Sequence, residues 1–102
     1  IYWWYKSKGF IYPYYTYILE CRGKWGDYDY YVGHTKDILK RYCEHKKREV
    51  PSTKNYRAVI LVYAEGQPTK ERAEHWENII KDKDRGYKED LIKTSKRNII
   101  KK

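Results

Sequence analysis

Residues 27–35, DYDYYVGHT, form a tyrosine-rich run that ends in Gly33, His34 and Thr35, where a helix is about to begin. Tyrosine suits a strand because its flat ring packs well on a pleated surface. A strand that needs only a core more often uses Val or Ile, so these hydroxyl groups raise the question of a chemical role. A phenol has a pKa of about 10, and a nearby positive charge favours its anion. A tyrosine beside a cation could therefore act as a base.

Two more reactive side chains follow on the predicted first helix. Arg41 and His45 are four positions apart, so both project from one side of the helix. This side lies at the edge of an apolar stripe, where a side chain can reach a cleft while its helix remains anchored. The stripe consists of Ile38, Leu39, Tyr42 and Cys43. A guanidinium suits a phosphate oxygen. His45 could orient a nucleophile, relay a proton, contact phosphate, or be a hydrogen-bonded histidine on the helix surface.

Glu77 is a carboxylate that the helical pattern turns towards the body of the domain. With about 3.6 residues per turn, the apolar residues of its segment cluster on one side. They are Ala73, Trp76 and Ile80. Glu77 lies roughly 65° from the centre of that cluster, whereas Glu74 lies further round. An inward carboxylate needs a positive partner to offset its desolvation. The residues by themselves favour an ordinary salt bridge to Arg41 or to a nearby lysine.

The charge of the chain predicts a polyanionic partner. The 102 residues fit a single domain, and 23 Lys+Arg against 14 Asp+Glu give a formal net charge of +9. Such a charge draws polyanions, so we expect nucleic acid first, with an anionic membrane surface or a merely basic surface as alternatives. No apolar run approaches the roughly 20 residues of a membrane span, so we expect no membrane partner.

The two cysteines, Cys21 and Cys43, form no recognisable disulfide framework. We therefore expect two buried or half-buried free thiols in an intracellular, reducing compartment, either cytoplasmic or within the nucleoid or nucleus. A zinc site that combines these thiols with histidines is the alternative, but the spacings resemble no common zinc module.

The strands that must position these residues follow from composition and turn signals. We predict strands over residues 14–20, 30–33 and 56–65, and a hairpin loop at residues 22–29, which contain two glycines and two aspartates. The third strand is apolar at successive positions, which predicts a central strand covered on both faces. Residues 1–13 are aromatic without a clear period, and we interpret them as an irregular lead-in.

The helices follow from caps and helical spacing. We predict a first helix over residues 35–48, with Thr35 as N-cap and Asp37 in the first turn. Thr69 caps a second helix that runs to about Asp84 and is ended by Gly86. A shorter helix at residues 88–93 and a basic tail complete a single domain over residues 14–102. The fold class is α/β, β-β-α-β-α-α, with a three-stranded antiparallel or mixed sheet flanked by helices.

This order of elements, together with its motifs, resembles the GIY-YIG nuclease domain over roughly residues 14–93. YYTYIL matches the family's first motif and keeps its tyrosine as Tyr17, although Tyr and Thr replace the Gly and Ile. YYVGHT matches the second motif, with Tyr31 and Gly33. The further matches are Arg41 with His45, Ala73 with Glu77, and the Lys-x-x-Leu-Ile of residues 88–92. Each motif is weak alone, whereas the ordered set of five is specific.

The resemblance implies a metal-dependent DNA endonuclease. Hydrolysis of a phosphodiester needs an activated water, stabilisation of charge on the phosphoryl oxygens, and help for the leaving alkoxide. The implied catalytic set is Tyr17, Tyr31, Arg41, His45 and Glu77. Glu77 alone among side chains would hold one Mg²⁺ or Mn²⁺ ion, Arg41 would clamp a phosphate oxygen, and Tyr17 would be the base. Tyr31 would be its hydrogen-bonding or phosphate-contacting neighbour, and Gly33 would let the backbone turn closely beside the site or meet a steric need.

Basic residues outside this set are expected to contact the DNA backbone, which gives affinity without sequence information. They are Lys46, Lys47, Arg48, Lys88, Lys96 and Arg97. Trp25 in the hairpin loop could stack on a base or pack locally. Sequence selectivity would come from an attached targeting domain or a partner subunit. The alternatives are a non-catalytic nucleic-acid-binding module with the same fold, and a basic scaffold for acidic partners.

Overall fold

The computed structural model describes residues 13–100, and side chains within residues 13–95. The elements are β1 (Tyr14–Arg22), β2 (Tyr28–Thr35), α1 (Ile38–Lys46), β3 (Ala58–Gln67), α2 (Lys70–Lys81) and α3 (Arg85–Ile100). The predicted order β-β-α-β-α-α is thus confirmed. The lead-in expected over residues 1–13 lies outside the described residues except for Pro13.

The three strands form an antiparallel sheet in the order β2-β1-β3. The central strand is therefore β1, and the prediction that the third strand is central was wrong. The apolar run of β3 has a different cause: its side chains are covered by helices on both faces, although within residues 13–100 the strand has a neighbour on one side only. Leu61 packs towards one face of the sheet and Tyr63 towards the other.

Alternate residues of β1 belong to two separate cores, because successive side chains of a strand point to opposite faces. Tyr17 and Leu19 pack with Ile38 of α1 on one face. Ile18 packs with Ile80 of α2, and with α3, on the other face. The sheet thus separates α1 from α2 and α3, and the predicted site residues are divided between these two sides.

The N-terminus of α1 differs from the prediction. Thr35 is the last residue of β2, and Asp37 is the N-cap: its carboxylate accepts a hydrogen bond from the Lys40 N–H at 3.1 Å. The Thr35 hydroxyl instead accepts from the Asp37 N–H at 3.1 Å. An extended chain up to residue 35 lets β2 pair with β1 as far as Tyr15, which favours the longer strand.

The buried side of α1 also differs from the predicted stripe. Cys43 is exposed, whereas His45 is 1 % exposed. Ile38 and His45 are seven positions apart, which is two helical turns, so they share the face that meets the sheet. The face of α1 that meets the sheet is therefore centred nearer to His45, and further from Cys43, than the predicted stripe. Of the two thiols, Cys21 is buried, and burial raises its pKa to about 11.

The turn between α2 and α3 lies about three residues earlier than predicted. Thr69 caps α2 as expected, accepting a hydrogen bond from the Arg72 N–H at 3.2 Å. The helix ends at Lys81, and Gly86 already lies in α3. Asp84 is exposed and accepts from the Tyr87 N–H at 2.9 Å, an N-terminal bond of α3. The helix then continues to Ile100, so the predicted short helix with a tail was wrong.

Candidate active site

Two tyrosines and a histidine form a cluster between the sheet and α1. Tyr31 opposes Leu19 across the strand pair, which places it on the same face as Tyr17. The Tyr17 Oη lies 3.0 Å from the His45 Nε2, and the two rings meet edge to face. The Tyr31 ring centroid lies 5.1 Å from that of His45 and 6.3 Å from that of Tyr17. Three of the predicted catalytic residues are therefore in one cluster.

Gly33 makes room for this cluster. It opposes Tyr17 directly across the strand pair. A Cβ at Gly33 would lie 2.7 Å from the Tyr17 Oη and 2.8 Å from its Cζ. The absence of a side chain at residue 33 thus lets the phenol end of Tyr17 lie close against β2.

Arg41 lies beside the Tyr17 oxygen and also pairs with Glu44, at 3.1 Å between Nη1 and Oε1. Burial raises the pKa of Tyr17 to about 12, and the neighbouring Arg41 guanidinium opposes that effect without cancelling it. The charges of Tyr31 and Glu77 raise the pKa of Tyr17 further. Tyr17 is therefore a neutral phenol at pH 7, and Glu77 lies near enough to influence its ionisation.

His45 is a buried neutral imidazole. Burial lowers its pKa to about 4, and the positive charge of Arg41 contributes to the shift. Its Nδ1 lies 2.7 Å from the Oγ1 of Thr53, which is 2 % exposed. Both ring nitrogens are thus engaged, one by Tyr17 and one by Thr53. The alternative of a histidine on the helix surface was wrong.

Glu77 of α2 is 9 % exposed, in agreement with its predicted inward direction. Its Oε1 lies 2.5 Å from the Nδ1 of His34, and its Oε2 lies 2.6 Å from the Nζ of Lys81. The expected salt bridge to a nearby lysine is present. Arg41 pairs with Glu44 rather than with Glu77 within the described part of the chain.

The tyrosine–histidine cluster and the Glu77 carboxylate lie on opposite sides of the sheet, and a neighbour of each lines one cleft. His34 opposes Thr16, whose hydroxyl donates to the Ala73 carbonyl of α2 at 3.0 Å, so His34 and Glu77 lie on the α2 side. A cleft of about 690 Å³, here called the edge cleft, passes the end of β2. Its lining residues are His34, Thr35, Lys36, Asp37, Lys40, Arg41 and Glu44. The edge cleft therefore brings together His34, which holds Glu77, and Arg41, which lies beside Tyr17.

The side chains near Glu77 suit a divalent cation that keeps most of its waters better than one held by several protein ligands. Within residues 13–95, no group of three or more His, Cys, Asp or Glu side chains could hold a metal ion. Mg²⁺ keeps several waters and takes one or two carboxylates, which one glutamate can satisfy. A cation at Glu77 would have to displace Lys81 or His34. The Lys81 side chain is 52 % exposed, so it can move into solvent.

The predicted DNA-contacting residues occupy several places. Lys46, Lys47 and Arg48 are exposed at the end of α1, whereas Lys88 of α3 is half-buried. The Arg48 guanidinium donates to the carbonyls of Lys54 and Arg57, which fixes the chain between α1 and β3. The side chains of Lys96 and Arg97 lie outside the described residues. Trp25 is 92 % exposed, so the alternative of local packing was wrong.

Three site residues were missed by the sequence reasoning. His34 follows Gly33 directly, and the alternation of a strand would have placed it on the side opposite to Tyr17. Lys81 is four positions after Glu77, a spacing that predicts a helical ion pair. Thr53 had no such signal, because it lies in an irregular connection between α1 and β3.

Comparison with known families agrees with this architecture. The family model described as the GIY-YIG catalytic domain matches residues 13–90. The chain therefore belongs to the GIY-YIG family, which is typically a family of endonucleases.

Its relatives include two proteins named UPF0213. The UPF0213 protein of Streptococcus pneumoniae serotype 4 is 35% identical over 88 residues, which are 84% of this chain and 85% of that protein. The UPF0213 protein BH0048 of Halalkalibacterium halodurans is 35% identical over 80 residues, 76% of this chain and 80% of that one. The solution NMR structure of UPF0213 protein BH0048 from Bacillus halodurans is 34% identical, with a TM-score of 0.48, and the match covers 79% of this chain and 83% of that chain.

Among the described residues, no helix has both the length and the apolar character needed to cross a membrane.

Proposed function

We propose that this protein is a metal-dependent endonuclease that hydrolyses DNA phosphodiester bonds at the edge cleft. The observation that supports it is the lining of this cleft: it includes Arg41, which lies beside the Tyr17–His45 contact, and His34, which holds the buried carboxylate of Glu77. Phosphodiester hydrolysis needs a proton acceptor, a cation for the phosphoryl oxygens and an activated water. These side chains supply the first two and a ligand for the third.

Phosphate binding is assigned to Arg41. Its planar fork can donate two parallel hydrogen bonds to a phosphate, and it is charged at any physiological pH. Arg41 is partly exposed, and its partner Glu44 lines the same cleft. Lys36 and Lys40 also line the cleft and draw the DNA backbone towards it.

Proton transfer is assigned to Tyr17 and His45 acting together. Because Tyr17 is protonated at pH 7, it can accept a proton from water only as its own proton leaves. Its hydroxyl proton can move to the His45 Nε2, 3.0 Å away. One O–H bond of water and the original O–H bond of Tyr17 break, and an O–H bond at Tyr17 and an N–H bond at His45 form. The water oxygen forms a P–O bond as the P–O bond to the leaving alkoxide breaks. A bound phosphate offsets the charge of Arg41, one cause of the low pKa of His45. Tyr31 packs against both rings and keeps the pair oriented.

One Mg²⁺ or Mn²⁺ ion would be held by Glu77, with waters and substrate completing its coordination. When bound, such an ion acidifies a water and neutralises charge that develops on the phosphate. Lys46, Lys47, Arg48 and Lys88, with Lys96 and Arg97, would extend the contact with the DNA backbone. Sequence selectivity would come from an attached domain or a partner subunit.

The substitution Glu77→Gln tests the metal assignment. We expect the purified protein to nick plasmid DNA with Mg²⁺ or Mn²⁺ and to stop on addition of EDTA. Glu77→Gln should lower the rate roughly 1,000-fold, since a catalytic metal contributes several kcal/mol. The matched control is Glu71→Gln on the same helix, where the side chain is exposed; this substitution should leave cutting unchanged. Wild-type cutting by a folded Glu77→Gln protein would show that the metal is held elsewhere.

A second candidate is a non-catalytic DNA-binding module. It is favoured by the engagement of both Glu77 oxygens, with His34 and with Lys81. Salt-sensitive DNA binding by the wild-type protein, without cleavage under either metal, would support this candidate over the nuclease.

A further inference from the structure

A buried chain of hydrogen bonds continues behind the Tyr17–His45 pair. The His45 Nδ1 lies 2.7 Å from the Thr53 Oγ1, while the Nε2 lies 3.0 Å from the Tyr17 Oη. All three residues are at most 2 % exposed. The connection between α1 and β3 holds Thr53 in place, because its N–H donates to the Val50 carbonyl at 3.1 Å and its carbonyl accepts from Tyr56 at 3.2 Å.

The contacts of Tyr17 indicate which nitrogen of His45 carries the proton. A neutral phenol has one proton to donate, and the neighbouring Arg41 can only donate. Within the described part of the chain, the His45 Nε2 is the hydrogen-bond partner of the Tyr17 hydroxyl. If Nε2 accepts this proton, the neutral imidazole carries its own hydrogen on Nδ1. The Nδ1–H then donates to the Thr53 Oγ1.

We propose that Thr53 is a positioning residue that keeps the proton of neutral His45 on Nδ1, so that Nε2 is free to accept the proton of Tyr17. With the proton on Nε2, His45 would donate to the Tyr17 oxygen, and the buried Tyr17 proton would lack an acceptor. An unpaired buried donor loses its hydrogen bond to water without a replacement, which disfavours that arrangement. The catalytic consequence rests on the proposed nuclease function; the position of the proton does not.

The same contact would serve after proton transfer. When His45 has received the proton of Tyr17, both ring nitrogens carry hydrogen. The Thr53 oxygen continues to accept from Nδ1, and the ring need not rotate. Thr53 is uncharged, so it directs the proton without adding a buried charge to the site.

The substitution Thr53→Val tests the proposal by NMR. Valine keeps the shape of threonine but removes the oxygen, whereas Thr53→Ser keeps the oxygen. In the ¹⁵N-labelled wild-type protein at pH 7, two-bond ¹H–¹⁵N correlations should show His45 protonated on Nδ1. This signature should be lost in Thr53→Val and retained in Thr53→Ser, while the spectra of His34 and His75 stay unchanged.

A wild-type spectrum with the proton of His45 on Nε2 would overturn the proposal, whatever the variants do. So would a folded Thr53→Val protein that keeps the proton on Nδ1. Because this readout needs neither metal nor DNA, it holds even if the protein proves not to be a nuclease.

The kinetic test applies if wild-type cleavage is observed. Thr53→Val should lower kcat at least about tenfold with KM for DNA unchanged, because a proton-transfer pair contributes about 10²–10⁴-fold and the substitution misdirects it. Thr53→Ser should restore most of the rate. Equal kcat in Thr53→Val and the wild type would refute a positioning role in catalysis.

Discussion

At the scale of single residues, the polar side chains of the Tyr17–His45 pair are buried away from water. His45 and Tyr17 are each 1 % exposed, and burial shifts both pKa values away from neutrality, to about 4 and about 12. Both groups are therefore uncharged at rest. A proton that moves from Tyr17 to His45 would create a buried imidazolium, so the transfer needs a compensating negative charge, such as a phosphate bound beside Arg41.

The shift of His45 predicts a stability that depends on pH. In the unfolded chain His45 titrates near its ordinary pKa of 6.5, and in the folded protein near 4. Between these values the unfolded chain binds a proton that the folded protein excludes, so the free energy of unfolding falls as the pH falls from 6.5 to 4. The loss is at most about 3 kcal/mol.

Urea unfolding at pH 7 and pH 4.5 measures this loss. His45→Gln should be less stable at pH 7 and should lose less stability on acidification than the wild type. The exposed His75 supplies the control: His75→Gln should keep the full wild-type dependence. An unchanged acid dependence in His45→Gln would show that other groups control it.

At the scale of elements, the pairing of β1 with β2 positions the site. The register sets Tyr17 against Gly33 and Thr16 against His34. Because neighbouring residues of a strand point to opposite faces, Tyr17 lies on the α1 side of the sheet and His34 on the α2 side. Glycine weakens a strand in general. Here it permits a close approach of a ring that a methyl group would block.

Gly33→Ala should displace the Tyr17 ring, because the new Cβ would lie 2.7 Å from the phenolic oxygen. We expect a loss of about 1–3 kcal/mol of stability from overpacking, measured by thermal or urea unfolding, and a matching loss of plasmid nicking. Gly86→Ala is the control: its Cβ would lie 3.6 Å from Asp84, and alanine suits the helix. Wild-type nicking by Gly33→Ala would argue against the need for this ring position.

At the scale of the whole molecule, part of the net charge of +9 is concentrated at one concavity of the surface. A concavity of about 220 Å³ behind His45 is lined by Lys46, Arg48 and Arg57, together with Thr53 and Tyr56. None of these three cations forms an ion pair with a carboxylate in the described part of the chain. The positive charge at this concavity would therefore attract the phosphates of the DNA that we propose as substrate.

Arg57→Ala should weaken binding of a DNA duplex and make it less sensitive to salt. The slope of log K against log salt concentration is negative, and loss of one phosphate contact reduces its magnitude by about 0.9. Fluorescence anisotropy from low to physiological salt, without metal, measures that slope. Arg72→Ala, an exposed cation on α2, should leave it unchanged. Equal slopes for Arg57→Ala and the wild type would place the DNA elsewhere.

Much of the fold could be predicted because it depends on short-range pattern. The tyrosine-rich strands, the Thr69 cap and the inward side of Glu77 follow from spacings of two to four residues. The same reasoning failed where the position or the buried face of an element depends on the elements packed against it. The apolar run of β3 has the same sequence pattern on a helix-covered edge as in a central position, and His45 is buried because α1 meets the sheet along Ile38 rather than along Cys43.

By itself the sequence determined the order of the elements and the types of reactive side chain each one carries, because local periodicity and capping are written in neighbouring residues. Only the tertiary structure decided the partners of those side chains. The contact of His34 with Glu77 spans 43 positions, and that of Tyr17 with His45 spans 28. Such contacts depend on strand register and on how helices lie against the sheet, which are set by packing over the whole molecule.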